Sequence, residues 1–393
     1  MKAALKKIVL SILSFMGALL LLNFLFMGNT DYQVVTLKEI SSQSHYSIDT
    51  ESADGSVQII FKLPNSSSLA QKLKKQHKDK TDGEDVDSKN KGNVRKRKGK
   101  QTQYPVTLTS PYLINNPSIC SNKKLDYVII VHTSTDHFSR RRFIRQTWAN
   151  LNAFKKHSFK IVFILGLTGN NDTQTMIENE SNVHGDIVQG YFKDSYHNLT
   201  HKGVLAYRWV SEFCLNVDMV LKVDDDMFVN VFHLIEYHLP LYRKSSRLMS
   251  CHVRPKGTSP IARKGSKWTV KGDEFKNMTH YPVPYCNGYF VLMTPDIIKE
   301  MYRASFMTPF FWVDDVYLYG LLPFKAGKVQ HKNIAGNLCL NQKKGVECFN
   351  RNSTCRLLAS YASIDGYMEQ MWFSAISMYN SLAKKFLAND FFT

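Results

Sequence analysis

A mostly parallel α/β fold, covered by helices on both faces and set behind one membrane-crossing helix, is predicted from three observations. Short apolar, β-branched runs recur at Leu125–Val131, Phe159–Leu165 and Val217–Val223. Segments of helical length separate them, and buried strands alternating with helices favour parallel pairing. Near the N-terminus, Ile8–Met27 is a twenty-residue run without a charged side chain.

At 1.5 Å of rise per residue, residues 8–27 make a helix of about 30 Å, the thickness of a bilayer's hydrocarbon core. Lys2, Lys6 and Lys7 precede it, whereas Asp31 and Glu39 follow. That excess of Lys puts residues 1–7 in the cytosol and the remainder on the lumenal side. A cleaved signal peptide competes as a reading, but Met27-Gly28-Asn29 is a poor cleavage site and the apolar run is long for one.

Residues 28–104 read as a lumenal stem, largely disordered. They are poor in aromatics and rich in Ser, Lys, Asp, Asn and Gly, and such chain buries too little apolar surface to offset its ordering entropy. The whole chain carries a formal charge of +18. Gln71–Lys100 holds 12 basic and 5 acidic residues, so +7 of that charge lies in the stem. The basic cluster there is a solvated linker, a protease site or a glycan-binding patch. Nucleic acid is excluded as a partner, since the cluster faces the lumen and has no interleaved aromatics.

Residues 105–393 form the globular unit. Helices are expected over Phe138–Asn150 and Leu199–Cys214, the second with Leu199, Ala206, Val210 and Phe213 near one face. Met371, Trp372, Ile376, Tyr379 and Leu382 recur at helical spacing near the end of the chain, as a helix docked on the core would require. Six Asn-x-Ser/Thr triplets, at Asn65, Asn171, Asn179, Asn198, Asn277 and Asn352, are candidate glycosylation sites that have meaning only in the secretory lumen. Seven cysteines suit the same oxidising compartment. An odd number leaves one free or paired between copies, which leaves a homo-oligomer open. No Cys-x-x-Cys pair points to zinc.

The chemistry concentrates in Asp224-Asp225-Asp226, at the end of an apolar strand. In extended chain Asp224 and Asp226 share a side while Asp225 faces the other. Two repelling carboxylates on one side suit a hard divalent ion whose shell is completed by phosphate oxygens. A turn that caps the helix beginning near Val229 would use the same three residues. Asp314-Asp315 follows Phe310-Phe311-Trp312, where partial desolvation would make a carboxylate a proton acceptor; helix capping explains that pair equally. Arg141 and Arg145 lie four apart on one helix face and could share a diphosphate or simply be solvated. Asp194–Lys202 is a loop entering a helix, with Lys202 placed to meet an anion. These residues alone reach a lumenal metal-dependent enzyme acting on a phosphorylated donor.

The same residues resemble the β-1,3-galactosyltransferase and β-1,3-N-acetylglucosaminyltransferase family, glycosyltransferase family 31. Arg141–Trp148 resembles its R-x-x-I-R-x-T-W, and Asp194–Lys202 its D-S-Y-x-N-L-T-x-K. Leu221–Asn230 is similar to K-x-D-x-D-x-F-V-N, Tyr281–Tyr289 to the tyrosine and glycine block, and Asp314–Tyr317 to E-D-V-Y, all in family order. The resemblance implies a GT-A-like nucleotide-sugar-binding fold, inversion at the anomeric carbon, and a donor such as UDP-galactose or UDP-N-acetylglucosamine. It also implies Mn2+ at Asp224 and Asp226, Asp315 as base, and Arg141, Arg145, Asp194, Lys202, Asp224 and Asp225 around the donor. A glycoprotein or glycolipid acceptor and a single-pass type II place in the Golgi membrane follow from it. Three departures stand out: Asp314 replaces a Glu, only Gly288 remains of the glycine block, and Leu357–Ile364 lacks the family's metal-binding His. His331 does not match that position. The expected activity is galactosyl transfer, with N-acetylglucosaminyl transfer or a catalytically silent glycan-binding protein as the alternatives.

Overall fold

The computed structural model describes residues 47–53, 56–62, 105–121, 124–150, 158–351, 355–363 and 365–389. It divides into two units, Met1–Arg97 and Lys98–Thr393. The transmembrane segment expected at 8–27 lies outside the described residues. Among the described residues no helix is long and apolar enough to cross a membrane.

In the first unit, β1 (Ser47–Ala53) and β2 (Ser56–Lys62) pair antiparallel, from Ser47 opposite Lys62 to Ala53 opposite Ser56. The stem reading contained no strand here. The intervening pair is Asp54-Gly55, a strong short-range hairpin signal because both residues tolerate positive φ.

The second unit is a mixed α/β domain. Its elements in chain order are β3 (Leu125–His132), α1 (Phe138–Gln146), β4 (Phe159–Leu167), α2 (Asn171–His184), β5 (Ile187–Lys193), α3 (Leu199–Phe213), β6 (Val217–Asp224) and β7 (Met227–Val229). There follow α4 (231–242), β8 (Leu248–Arg254), β9 (Tyr285–Met293), α5 (Asp296–Ser305), α6 (314–326), β10 (Gln330–Asn333), β11 (Leu338–Cys339), α7 (Gln342–Asn350), β12 (Ala359–Tyr361) and α8 (Asp365–Asn389). The expected strands and the long C-terminal helix are present; α1 stops at Gln146, short of the expected Asn150, and α3 ends at Phe213, beside the expected Cys214.

Seven strands form one sheet in the order β10-β8-β9-β6-β3-β4-β5. All its pairs are parallel except the two made by β9, which runs against both β6 and β8. The period of two divides β3 between two cores. Tyr127, Ile129 and Val131 face one that also holds Trp148, Phe228 and Trp372; Val128 and Ile130 face the other, with Trp209, Ile297 and Leu318. Fully burying one such aliphatic side chain stabilises the fold by about 1.5–3 kcal/mol. Cβ-free Gly203 lets α3 approach Leu318 of α6, where a methyl group would collide with the leucine side chain.

A smaller sheet, β11-β12-β7, joins the acidic run to the C-terminal part of the chain. Three disulfides, Cys120–Cys214, Cys251–Cys286 and Cys348–Cys355, leave Cys339 as the free thiol. Of the candidate glycosylation sites, Asn171, Asn179 and Asn277 are exposed. Asn198 is half-buried and its amide donates to the Lys193 carbonyl at 2.9 Å. Asn65 and Asn352 lie outside the described residues.

Candidate active site

The site grows from the carboxyl ends of two adjacent parallel strands. His132 of β3 stands in register with Asp224 of β6. Beyond them the chain makes two turns, Thr133–Asp136 into α1 and Asp225–Asp226 into β7. The Asp225 N–H donates to the His132 carbonyl at 3.1 Å, and the Ala362 N–H to the Asp226 carbonyl at 2.7 Å. The acidic run is therefore pinned by both sheets, and ligands of open α/β sheets bind outside such strand ends.

The three aspartates divide as expected, although a turn and not extended chain carries Asp225 and Asp226. Asp225 turns inward and is buried; it accepts from Thr133 Oγ1 and contacts His137 Nδ1, each at 2.6 Å, and accepts from Arg140 Nη1 at 2.9 Å. Burial alone would raise its pKa, but these bonds and charges hold it below the usual carboxylate range. Asp224 and Asp226 remain open, with 39% and 32% of their side chains exposed. Asp226 is pushed up to about 6 by burial and by the charges of Asp224 and Asp225, with Arg140 4.0 Å away as a partial offset. A carboxylate short of positive charge beside a second open carboxylate fits a hard divalent cation.

Among the described residues no three His, Cys, Asp or Glu side chains are grouped to hold an ion by themselves. Mg2+ and Mn2+ need only one or two protein carboxylates when phosphate and water complete the shell, so Asp224 and Asp226 fit that role. The segment in which the family's His is missing does reach this corner, through Ala362. His331 does not stand in for it: its Nε2 is within 2.8 Å of the Tyr319 carbonyl.

The second acidic pair joins the same corner. Lys222, buried, donates to Asp224 Oδ1 at 2.5 Å and to the Gly288 carbonyl at 2.6 Å. The Gly288 N–H in turn donates to Asp315 Oδ1 at 2.8 Å. Asp314 and Asp315 occupy the first turn of α6, which continues as a π-helical segment, Tyr317–Leu321. Desolvation raises Asp314 to about 6 against the pull of Lys222, and desolvation together with the Asp314 charge raises Asp315 well above the ordinary value. A Cβ at residue 288 would strike Asp315 Oδ1, so the one glycine kept from the family's block is the one this contact requires.

Asp315 opens onto a cavity of about 300 Å³ whose wall includes Arg254, Trp268, Tyr281, Tyr285 and Asn287. Trp268 Nε1 donates to the Tyr196 hydroxyl at 2.9 Å, and His197 packs on Trp312 at 4.4 Å between ring centroids. The loop that begins at Asp194 thus lines the approach to the base.

Four residues expected around the donor have other partners. Arg141 is fully buried and forks onto Glu180 at 2.7–3.0 Å, with Nη1 on the Ser134 carbonyl at 2.7 Å. Arg145 bridges Glu180 at 2.7 Å and Asp186 at 2.8 Å. Lys202 is buried between Asp194, at 3.0 Å, and the Thr133 carbonyl. Asp194 also accepts from the Gly166 N–H at 2.7 Å. These groups hold the loop after β3 from below. Asp225, also expected at the donor, likewise serves as an internal anchor.

Arg140, Lys222 and His132 were not singled out by sequence reasoning. Arg140 and Lys222 lay inside the quoted motifs or beside them, but only the pairing of β3, β6 and β9 shows which acids they meet. His132 is buried with no partner on either ring nitrogen, and burial with the charges of Lys222 and Lys202 lowers its pKa far below the ordinary value.

The family described as Galactosyltransferase matches residues 139–335. The human protein beta-1,3-galactosyltransferase 1 is 33% identical over 256 residues, 63% of this chain and 75% of the relative. A Danio rerio protein, lactosylceramide 1,3-N-acetyl-beta-D-glucosaminyltransferase A, is 30% identical over 226 residues, 55% of this chain and 59% of the relative. Among solved structures, the galactosyltransferase LgtC with donor and acceptor sugar analogues aligns with a TM-score of 0.33 and 11% identity, over 64% of this chain and 95% of that one.

Proposed function

Because the chain belongs to the galactosyltransferase family, glycosyltransferase family 31, we propose that it is an inverting β-1,3-hexosyltransferase that moves galactose from UDP-galactose to a terminal sugar of a glycoprotein or glycolipid. The observation that carries the reading is the single corner made by Asp224, Asp226 and Asp315, bridged by Lys222 and Gly288. Direct displacement at an anomeric carbon needs a base for the incoming hydroxyl and relief for the departing diphosphate, and these are the two functions the corner supplies.

Asp315 accepts the proton of the acceptor hydroxyl as its oxygen bonds to the donor sugar, while the bond from that sugar to the diphosphate breaks and UDP leaves with the electron pair. Asp224 and Asp226 would hold Mn2+, which when bound supplies positive charge to the diphosphate oxygens. Lys222 keeps Asp224 oriented and, through Gly288, keeps the base aimed at the cavity. Trp268, about half exposed on the wall beside Asp315, would offer the acceptor ring a flat face. The expected GT-A class is supported by a mixed, mostly parallel sheet with its acids at the strand ends. The apolar run at 8–27 and the stem at 28–104 support a type II Golgi anchor, with 105–393 as the lumenal transferase region.

The test is incorporation of sugar by the full-length chain from UDP-galactose, UDP-N-acetylglucosamine and UDP-N-acetylgalactosamine onto a panel of sugar acceptors, with and without Mn2+. Galactose incorporation that needs Mn2+ and is abolished in Asp226→Ala and Asp315→Asn is the expected result. Preference for another donor moves the assignment within the family; folded protein that binds glycans and transfers nothing overturns it.

A further inference from the structure

A second cavity, of about 670 Å³, opens among α4, the connection from β10 to β11, Arg356 and α8. It shares no wall residue with the cavity beside Asp315, and its volume is in the range of small-ligand sites. Three independent features mark it.

The first is charge. Lys332 and Arg356 are exposed on its wall, and no carboxylate among the described residues lies within 4.0 Å of either. Lys332 instead lies 4.8 Å from the centre of the Tyr242 ring. Glu236 is also on the wall, so the formal charge of these three side chains is still positive and an anion is the complementary ligand.

The second is an unfinished hydrogen bond. His238 is 6% exposed, lines the cavity, and its Nδ1 has no partner. A buried polar atom without a partner costs about 1–3 kcal/mol, and a small shift of the wall that brought a ligand oxygen to Nδ1 would recover it. His238 closes a π-helical segment, Leu234–His238. Such segments occur frequently at functional sites, and another, Tyr317–Leu321, begins two residues after Asp315.

The third is the aromatic wall. Tyr237 is 54% exposed, and Tyr379 stacks on Phe232 at 4.4 Å between ring centroids. Flat, partly wet rings with hydroxyl edges are the surfaces on which sugar rings pack.

We infer that this cavity is a second glycan-binding site, taking an acidic saccharide whose ring packs on the tyrosines and whose sulfate or carboxylate is held by Lys332 and Arg356. It binds and does not transfer, and would retain an acidic glycan while a separate terminus of it is extended at Asp315.

The experiment is calorimetric titration of the purified full-length chain, in detergent, with sialyllactose, a 6-sulfated N-acetyllactosamine and neutral lactose. Saturable binding of at least one acidic sugar, tenfold or more tighter than lactose and weakening with added salt, is expected. Which acid binds identifies sulfate or carboxylate as the recognised group. Lys332→Ala with Arg356→Ala, both at exposed positions, should weaken binding at least tenfold, and Tyr237→Ala severalfold, whereas Asp315→Asn should leave it unchanged. Equal binding of lactose, no saturable binding, or loss in Asp315→Asn with none in the Lys332 and Arg356 variant overturns the inference. Because the readout is binding, failure of galactosyl transfer would leave this result standing.

Discussion

A carboxylate that takes a proton at neutral pH works best when its own affinity for protons is raised, and burial beside Asp314 does this for Asp315. The transfer rate should therefore fall as pH drops through that raised range. Asp314→Asn removes the neighbouring like charge, lowers the pKa of Asp315, and should move the acid limb of the rate profile to lower pH. Asp315→Asn should cost about 10²–10⁴ in kcat with UDP binding kept, since an amide oxygen can still accept from Gly288. The raised pair also stabilises the fold in acid and loses that contribution as pH rises through its folded range. Asp315→Asn should accordingly gain in thermal midpoint over the parent chain as pH rises, whereas a residue with an ordinary pKa would show no such trend. Arg140 offers a separate test. At 2.9 Å from Asp225 and 4.0 Å from Asp226, it competes with any cation bound there, and Arg140→Ala should tighten Mn2+ binding by roughly tenfold, as Coulomb attraction at this range allows, read by the loss of the free-ion paramagnetic signal. Asp224, Asp226 and Asp315 were legible because each sits in a short-range pattern. His132 was not, since an imidazole at the end of an apolar strand carries no spacing signal of its own.

At the scale of elements, the buried ionic cluster of Arg141, Arg145, Glu180 and Asp186 ties α1 to α2 and to the start of β5. Burial would raise Glu180, but the two arginines hold it below its ordinary value. Arg141→Ala removes the forked partner of that carboxylate but leaves it Arg145 at 2.7 Å, so the cost should fall below the roughly 3–5 kcal/mol typical of a fully unpaired buried charge. Urea titration should show that loss, while affinity for UDP in the folded fraction stays near that of the parent; a direct contact with diphosphate would reverse the ranking. The strands at 125–131, 159–165 and 217–223 were readable because buried parallel strands are continuously apolar. The helix α2 was not, for it buries only Ile177 and so shows no apolar stripe. β8 and β9 escaped for a different reason: their partners are distant in sequence, and His252, Asn287 and Gly288 break the apolar run where β9 turns toward the site.

Over the whole molecule, the three disulfides close loops of very different length. Cys120–Cys214 spans 94 residues, against 35 for Cys251–Cys286 and 7 for Cys348–Cys355. Chain-entropy arguments give a loop near 100 residues about 4–5 kcal/mol of stabilisation, so replacing Cys120 and Cys214 by Ala should lower the unfolding free energy most. Intact mass after alkylation without reductant should show a single modified thiol, at Cys339. The odd cysteine count was plain in the sequence, whereas the pairing was not, because it depends on α3 returning beside the segment before β3. The charge count was legible too, yet it pointed to the stem and left the cations around the two cavities unmarked.

The pairing of β12 with β7 ties the acidic corner to residues near the very end of the chain. On a ribosome β12 emerges long after β7, so Asp226 stays unpinned until that later stretch has been made. A chain stopped between β10 and β12 would carry every strand of the large sheet, yet its acidic corner would be held from one side only and left unfinished.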